Sequence, residues 1–289
     1  MIRSIQKIGG KLNRLFSLFI IASILLMHVS QETVTAQIAV ESDWPSARHD
    51  PAGTFFAEGE TLLAAPLELS TFITTNSQIL SGASPILANG YLFLLEDDGF
   101  CAYLLADLTQ TWCYNGLEQL IVSGVTGSEI VVGGINPVDD TLTLVRLDIS
   151  DGTTIGMVPT AEHAASAYTC SPADRNQMFC SSDEHLLSID LSTNSVVWTM
   201  PLDGPGSVPV LSEDAVLVET GLSAWAINRE DGAVIWTSNQ STGSRMPLLL
   251  AGTTLLVSQV DGSIRGLDSL TGTLSWSSPV LTGEVCQAA

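Results

Sequence analysis

Short apolar runs separated by turn residues dominate the chain after its N-terminal region. Residues 91–95, 215–218 and 254–257 are such runs, and Gly, Asp or Asn stands close to each of them. Outside the N-terminus no segment keeps an apolar period of 3.6 residues. Runs of this length broken by turn residues are typical of β-strands buried between stacked sheets. The pattern therefore predicts an all-β protein.

A strand–turn–strand element recurs along the chain. In its clearest copy Asp268 precedes Trp276 by eight residues, with Thr271 and Gly272 between them. Asp and Thr side chains bond nearby backbone amides and Gly supplies a positive φ, so this segment predicts a tight turn. The other copies are Asp190 to Trp198, Asn228 to Trp236, Asp148 to Gly156 (where the Trp is lost) and a shorter one from Asp107 to Trp112.

The spacing of these copies indicates a propeller. Their ends at positions 112, 156, 198, 236 and 276 lie 38 to 44 residues apart, which is the range of a four-stranded blade. The first strand of a unit is predicted to open around a proline, at Pro85, Pro172, Pro209 and Pro247. We predict a β-propeller of four-stranded antiparallel blades, about five of them complete. One more blade is either shared by the termini, which closes the ring, or left partial.

The Asp-x-x-Thr-Gly-x-x-x-Trp element resembles the repeat of pyrroloquinoline-quinone-type β-propellers. The resemblance covers residues 43–280 and is closest at Asp268 to Trp276. The opening Asp43-Trp44-Pro45 and Arg48-His49-Asp50 is similar to the start of many secreted members. The resemblance implies the propeller fold but no particular cofactor, because most proteins built on this repeat bind no quinone.

The N-terminal residues 1–36 read as a secretory signal. Four basic residues precede an apolar stretch at 15–27, and Val34-Thr35-Ala36 is a small-residue cleavage site. The stretch is shorter than the roughly 20 residues of a membrane span, although an uncleaved anchor is the alternative. We predict a mature, soluble, extracytoplasmic domain over residues 37–289, periplasmic or secreted, with no membrane insertion after cleavage.

The cysteines fit an oxidising compartment. Cys101 and Cys113 are symmetric about one predicted hairpin turn, and Cys170 and Cys180 about another. Directly opposed hairpin residues are close enough to be linked, so we predict disulfides Cys101–Cys113 and Cys170–Cys180. Metal binding is the competing reading, but no Cys/His spacing supports it. Cys286 is left unpaired.

The net charge of −21 excludes nucleic acid as a partner, because neutralising phosphates needs basic residues. The charge either serves solubility or reflects an affinity for cations. Two acidic pairs, Asp97-Asp98 and Asp139-Asp140, could hold Ca²⁺ on loops, although such pairs are usually plain turn residues.

No catalytic, cofactor-binding or metal-binding residue is assigned. After the signal the histidines are His49, His163 and His185, without metal-ligand spacing. The repeated Trp112, Trp198, Trp236 and Trp276 are predicted to pack between blades. Trp225 lies outside the repeat position and is the one aromatic residue to test for ligand contact.

The sequence favours a secreted, non-enzymatic, monomeric propeller that acts as a binding or assembly scaffold, similar in style to the outer-membrane-assembly propeller subunit. Its partner is an unknown protein or glycan, and no cofactor is expected. The alternative is a fragment or relative of a quinone-dependent dehydrogenase, which would use quinone and Ca²⁺. Those enzymes have an adjacent cysteine pair, whereas the nearest cysteines here are ten residues apart.

Overall fold

A computed structural model describes residues 75, 78–79, 84–163, 168–239 and 248–280. Within these ranges the chain forms twenty strands and no helix. The first sheet contains β1 (Ile86–Ala88), β2 (Tyr91–Glu96), β3 (Gly99–Leu104) and β4 (Gln110–Tyr114). The second contains β5 (Glu118–Thr126), β6 (Glu129–Asn136), β7 (Thr141–Asp148) and β8 (Thr154–His163).

The third sheet contains β9 (Thr169–Cys170), β10 (Gln177–Ser181), β11 (His185–Asp190) and β12 (Ser195–Pro201). The fourth contains β13 (Val210–Leu211), β14 (Ala215–Glu219), β15 (Ala224–Asn228) and β16 (Val234–Ser238). The fifth contains β17 (Leu249–Ala251), β18 (Thr254–Ser258), β19 (Ile264–Asp268) and β20 (Leu274–Ser277). In every sheet consecutive strands pair antiparallel. The prediction of five complete four-stranded antiparallel blades is therefore confirmed.

The core lies between sheets, because alternate residues of a strand point to opposite faces. Phe93 and Phe100 of the first sheet pack with Ile130 and Val145 of the second. Similar clusters join the second sheet to the third, the third to the fourth and the fourth to the fifth. This stacking explains the continuous apolar runs, since the inner strands of the second, third and fourth sheets are covered on both faces.

The turn between the third and fourth strands follows one plan in all five sheets. Asp268 Oδ1 accepts hydrogen bonds from the backbone N–H groups of Leu270 and Thr271 and from the Thr271 hydroxyl. The residue four places after the Asp position has a positive φ in every sheet: Leu108 57°, Gly152 72°, Asn194 53°, Gly232 73° and Gly272 68°. This confirms the turn mechanism read from the sequence.

Two details of the predicted repeat were wrong. The copy in the first sheet is not shorter: Leu104 takes the Asp position, because Leu104 N bonds Thr109 O as Asp148 N bonds Thr153 O. Pro172 does not open a first strand, because β9 ends at Cys170 and Pro172 lies beyond it toward the next turn. A residue without an N–H is tolerated there, since no ladder bond is needed.

Both predicted disulfides are present, Cys101–Cys113 and Cys170–Cys180. In each case the two cysteines are directly opposed in neighbouring strands. Several predictions fall outside the described residues: the signal over 1–36, the start of the mature domain at 37, the opening motif with His49, the unpaired Cys286 and the proline at 247. In the part of the chain that is described, no helix is long and apolar enough to cross a membrane.

Candidate functional site

Three of the repeated tryptophans tie their sheet to the next one. Trp112 Nε1 donates a hydrogen bond to Ile149 O at 2.9 Å, and Trp198 and Trp236 bond the equivalent carbonyls of Arg229 at 3.0 Å and Ser269 at 2.9 Å. We call each of these contacts a tryptophan joint. The accepting carbonyl always follows the Asp position of the next sheet's turn. The predicted packing role of these tryptophans is confirmed.

The glycines of these turns make room for the indole rings. A Cβ atom added at Gly152, Gly232 or Gly272 would lie 2.6, 2.9 or 2.5 Å from the docked tryptophan ring. Each of these glycines also has a positive φ, which L side chains rarely adopt. The Gly of the repeat therefore serves two needs at once, the turn and the close approach of the ring.

The second sheet lacks the tryptophan and uses an arginine instead. Arg146 lies directly opposite Gly156 in the β7–β8 pair. Its Nη1 donates to Leu191 O, the carbonyl equivalent to those that accept the tryptophans, and to Asn194 Oδ1 at 3.0 Å. Glu129 holds the guanidinium from the other side, at 2.7 Å to Nε and 2.8 Å to Nη2. We call this contact the arginine joint.

Sequence reasoning missed the arginine joint, although it left a signal. The missing Trp at Gly156 coincides with Asn194 in the Gly position of the next sheet's turn. Asn194 Oδ1 lies 2.6 Å from where a Cβ on Gly156 would be, so the amide fills the place of the indole. In the second sheet the large side chain is Arg146, on the strand that faces Gly156. At the equivalent position of that strand the other sheets have Ala102, Ser188, Ala226 and Gly266.

Trp225, which was singled out for ligand contact, lies in β15 and packs against the core between the third and fourth sheets. Its Nε1 is buried and makes no hydrogen bond. It lines neither of the two clefts described next.

A polar cleft of about 590 Å³ opens between the turns of the third and fourth sheets. We call it the upper cleft. Four carboxylates and two arginines line it: Asp190, Glu213, Asp214, Glu230, Arg175 and Arg229. The Arg229 side chain is only 4% exposed and bonds Asp174 Oδ2 at 2.7 Å and Ser212 O at 3.0 Å. It also lies 5.5 Å from the ring centroid of Phe179, so this cation is fixed from several sides.

A smaller cleft of about 310 Å³ lies at the opposite ends of the strands, between the first and second sheets. It brings Asp97 and Asp98, a predicted Ca²⁺ pair, near Glu96 and Glu118. Glu96 accepts a hydrogen bond from the buried Tyr103 hydroxyl. Burial, followed by this bond and the Glu96 charge, raises the pKa of Tyr103 far above its usual value.

One group of these acids comes close together in the described residues. Glu96, Asp98 and Cys101 come within 4.8 Å of one another, but the Cys101 sulfur is bonded to Cys113 and is no thiolate ligand. The other predicted pair, Asp139 and Asp140, stays in its turn, where Asp139 Oδ1 accepts bonds from Thr141 N and Oγ1. The arrangement therefore favours turn roles for both pairs.

The turn aspartates hold their charge through local bonds. The pKa of Asp148, Asp190 and Asp268 is lowered, in each case first by a hydrogen bond from a Ser or Thr hydroxyl and also by backbone N–H groups. Such carboxylates are poor proton donors and acceptors near neutral pH.

One histidine makes a polar contact between the second and third sheets. His185 Nδ1 lies 2.9 Å from Glu162 Oε2 of the second sheet, so it forms a second polar contact between these two sheets, at the opposite ends of the strands from the arginine joint. His163 is the last residue of β8 and His49 is outside the described residues. The buried Tyr168 lies near this pair, and burial together with the charges of Glu162, Asp183 and Glu184 raises its pKa to about 12.

The stacked four-stranded sheets and their tryptophan joints define a β-propeller of the pyrroloquinoline-quinone repeat type. A sequence model of the family described as outer membrane protein assembly factor BamB matches residues 57–238 and, in an overlapping second match, residues 143–287. The chain belongs to this family. No curated protein sequence matches it.

Solved structures show the same fold at low identity. BamB from Moraxella catarrhalis is 16% identical with a TM-score of 0.54, over 71% of this chain and 65% of that one. Quinohemoprotein alcohol dehydrogenase from Comamonas testosteroni is 14% identical with a TM-score of 0.63, over 82% and 49%. A europium-containing methanol dehydrogenase is 13% identical, again with 0.63, over 82% and 58%. The chain therefore spans 49 to 65% of the length of these proteins.

Proposed function

We propose that this chain is a non-enzymatic scaffold that binds another protein in an assembly outside the cytoplasm. The family is described as an outer membrane protein assembly factor, and two disulfides fit an oxidising compartment. The observation that carries the proposal is the upper cleft. Its charged side chains stand on turns that are themselves fixed by hydrogen bonds, which suits binding without rearrangement.

The charge of the upper cleft predicts the chemistry of the partner. Glu213 and Glu230 are exposed on its rim, while Arg229 is buried and already paired with Asp174. The four carboxylates that line the cleft outnumber the exposed Arg175. The net charge of the cleft is therefore negative, and a partner surface with Lys or Arg is complementary to it. A glycan partner would instead depend little on this charge.

Substitution at the rim tests the proposal. Proteins crosslinked to a tagged chain in its native cell envelope are identified by mass spectrometry, and the strongest candidate is purified. We expect Glu213→Gln/Glu230→Gln to weaken its binding about tenfold or more at low salt, since charged rim contacts govern such binding. The matched control, Asp183→Asn/Glu184→Gln, removes the same charge at the other end of the third sheet and leaves binding unchanged. Equal binding by wild type and the rim variant contradicts the proposal.

The competing function is a quinone-dependent dehydrogenase, because two structural relatives are named as alcohol or methanol dehydrogenases. At 13 to 14% identity this likeness shows the fold alone. Titration of the purified chain with pyrroloquinoline quinone and Ca²⁺, followed by quinone absorbance and alcohol-dependent dye reduction, separates the two functions. We expect neither signal, and a saturable quinone band with dye reduction would establish the enzyme instead.

A further inference from the structure

The outer strand of the second sheet differs from the other outer strands. β8 has ten residues and is the longest strand in the described part of the chain. Its side chains that face the first sheet are all apolar and all exposed: Ile155, Met157, Pro159 and Ala161. The corresponding positions in β12, β16 and β20 are mixed or polar: Val197 and Thr199, Ile235 and Thr237, and Ser275 and Ser277. Among these four strands only β8 therefore presents an unbroken apolar row.

Two aromatic residues of the first sheet lie across from this row. Met157 pairs with Val145, and directly paired residues point to the same face of a sheet. Val145 belongs to the core between the first and second sheets, against which Trp112 and Tyr114 of β4 also pack. The outer opening between these two sheets is therefore an apolar groove with β8 on one side and β4 on the other. We call it the rim groove.

β8 also has a free row of backbone hydrogen-bonding groups. It pairs with β7 on one side only, and no described residue bonds the outward N–H and C=O groups of residues 154–158. Pro159 has no N–H and ends this row. Edge strands are usually protected by charged side chains, and an unprotected edge is a template for another strand. Residues 154–161 contain no charged side chain.

The acids around the rim groove indicate what kind of segment fits it. Asp107 and Asp151 are exposed at one end, in the turns that lead into β4 and β8. Asp139 and Asp140 are exposed beside the far end of β8, because Thr141 pairs with the last residue of that strand. A segment with Lys or Arg at its ends is complementary to these carboxylates. A second copy of the chain is not, because it brings the same acids and a net charge of −21.

We propose that the rim groove binds an extended segment of a partner protein, which adds to the second sheet as a further strand beside β8. Apolar side chains of the segment contact Met157 and Trp112, and its basic ends meet the acidic turns. Main-chain hydrogen bonds give such a complex its affinity, and alternate side chains give it specificity. An acyl chain would fill the groove but could not bond the free edge. The rim groove lies apart from the upper cleft, so this proposal goes beyond the scaffold function and does not depend on that cleft.

A synthetic strand tests the proposal on the wild-type protein. The probe is a fluorescein-labelled peptide in which Val and Thr alternate between terminal Arg residues, and fluorescence anisotropy measures its binding. One derivative is N-methylated at every Val and the other at every Thr, so that each lacks the N–H groups along one edge of the extended peptide. We expect the parent to bind saturably and only one derivative to bind about tenfold more weakly or worse, because it alone loses the bonds to β8. No saturable binding, or an equal effect of the two methylations, would overturn the proposal.

A pair of variants then locates the binding site. Met157→Asp puts a charge into the apolar groove and should weaken binding of the parent peptide about tenfold or more. The matched control is Ile235→Asp on β16, where the side chain is 49% exposed against 46% for Met157, and it should leave the affinity unchanged. Equal affinities of the two variants contradict the proposal, as does a dimer in sedimentation experiments that Met157→Asp abolishes, since a second copy would then occupy the groove. The comparison of the N-methylated peptides uses no variant and decides the question if Met157→Asp does not fold.

Discussion

The tryptophan joints and the arginine joint both connect one sheet to the turn of the next, but with different side-chain chemistry. In both, a side chain of one sheet donates to the carbonyl after the Asp position of the next sheet's turn. The indole buries apolar surface and needs only that single bond. The guanidinium needs Glu129, Asn194 and Leu191 O together, because a partly buried charge must be compensated on all sides. A position in a repeat can therefore change residue type, provided that its partners across the strand and across the joint change with it.

The largest expected effect comes from removing a tryptophan joint. Trp198→Ala should lower the free energy of unfolding by about 3–5 kcal/mol, as for other buried aromatic residues. Urea unfolding measures the change, and Val138→Ala, at a side chain that is 90% exposed, is the control expected to have almost no effect. Wild-type stability of Trp198→Ala would show that the joint is not a stabilising contact.

Removal of the arginine is the corresponding experiment at the other joint. Arg146→Ala should cost about 1.5–3 kcal/mol, the range of hydrogen bonds to charged groups, since Glu129 and Leu191 O lose their donor. The combination Arg146→Ala/Gly156→Trp/Asn194→Gly converts the joint to the tryptophan type and is expected to recover most of that loss. If the combination is no more stable than Arg146→Ala alone, the two joints are not equivalent solutions.

A pair of glycine variants isolates the close approach of the ring. Gly90 and Gly232 have similar φ angles of 80° and 73°. Only Gly232 faces an indole, since a Cβ on Gly90 would meet no atom within 4 Å. Gly90→Ala should therefore show backbone strain alone, while Gly232→Ala should cost about 1–3 kcal/mol more through overpacking against Trp198. Equal melting temperatures of Gly90→Ala and Gly232→Ala would mean that the Trp198 ring shifts to accommodate the new Cβ without a cost in stability.

The smallest effect is a pH dependence at Tyr168, which lies toward the other end of the second sheet from the arginine joint. Tyr168 packs against Ile135 and Leu142 of the second sheet with a pKa raised to about 12 from 10.0. Because the folded-state pKa is the higher one, the stability from the neutral phenol is complete below pH 10 and is lost as pH rises from 10 to 12. Tyr168→Phe should flatten the fall in stability across that window. If stability falls equally with pH in wild type and in Tyr168→Phe, the ionisation of Tyr168 does not contribute to this pH dependence.

The sequence predicted the repeating parts of this protein well. Cys101 and Cys113 could be paired by counting from a hairpin turn, and the tryptophans by their constant distance from the turn Asp. It failed where one copy departs from the pattern: the Leu104 turn looked short because its Asp and Gly are both absent. It also gave no reason to pair Arg146 with Leu191, because those residues are joined only when two sheets stack.

Four of the five repeat turns, the five four-stranded units of the described residues and both disulfides were determined by the sequence alone. Each depends on neighbours within one hairpin, where residue spacing is also spatial distance. The tertiary structure decided which carbonyl receives each tryptophan, that Arg146 replaces one of them, that Trp225 packs in a core, and that charged turns of two sheets enclose the upper cleft. These features depend on contacts between side chains of one sheet and the backbone of the next. The spacing of residues within one hairpin does not show which residues of the neighbouring sheet they will contact.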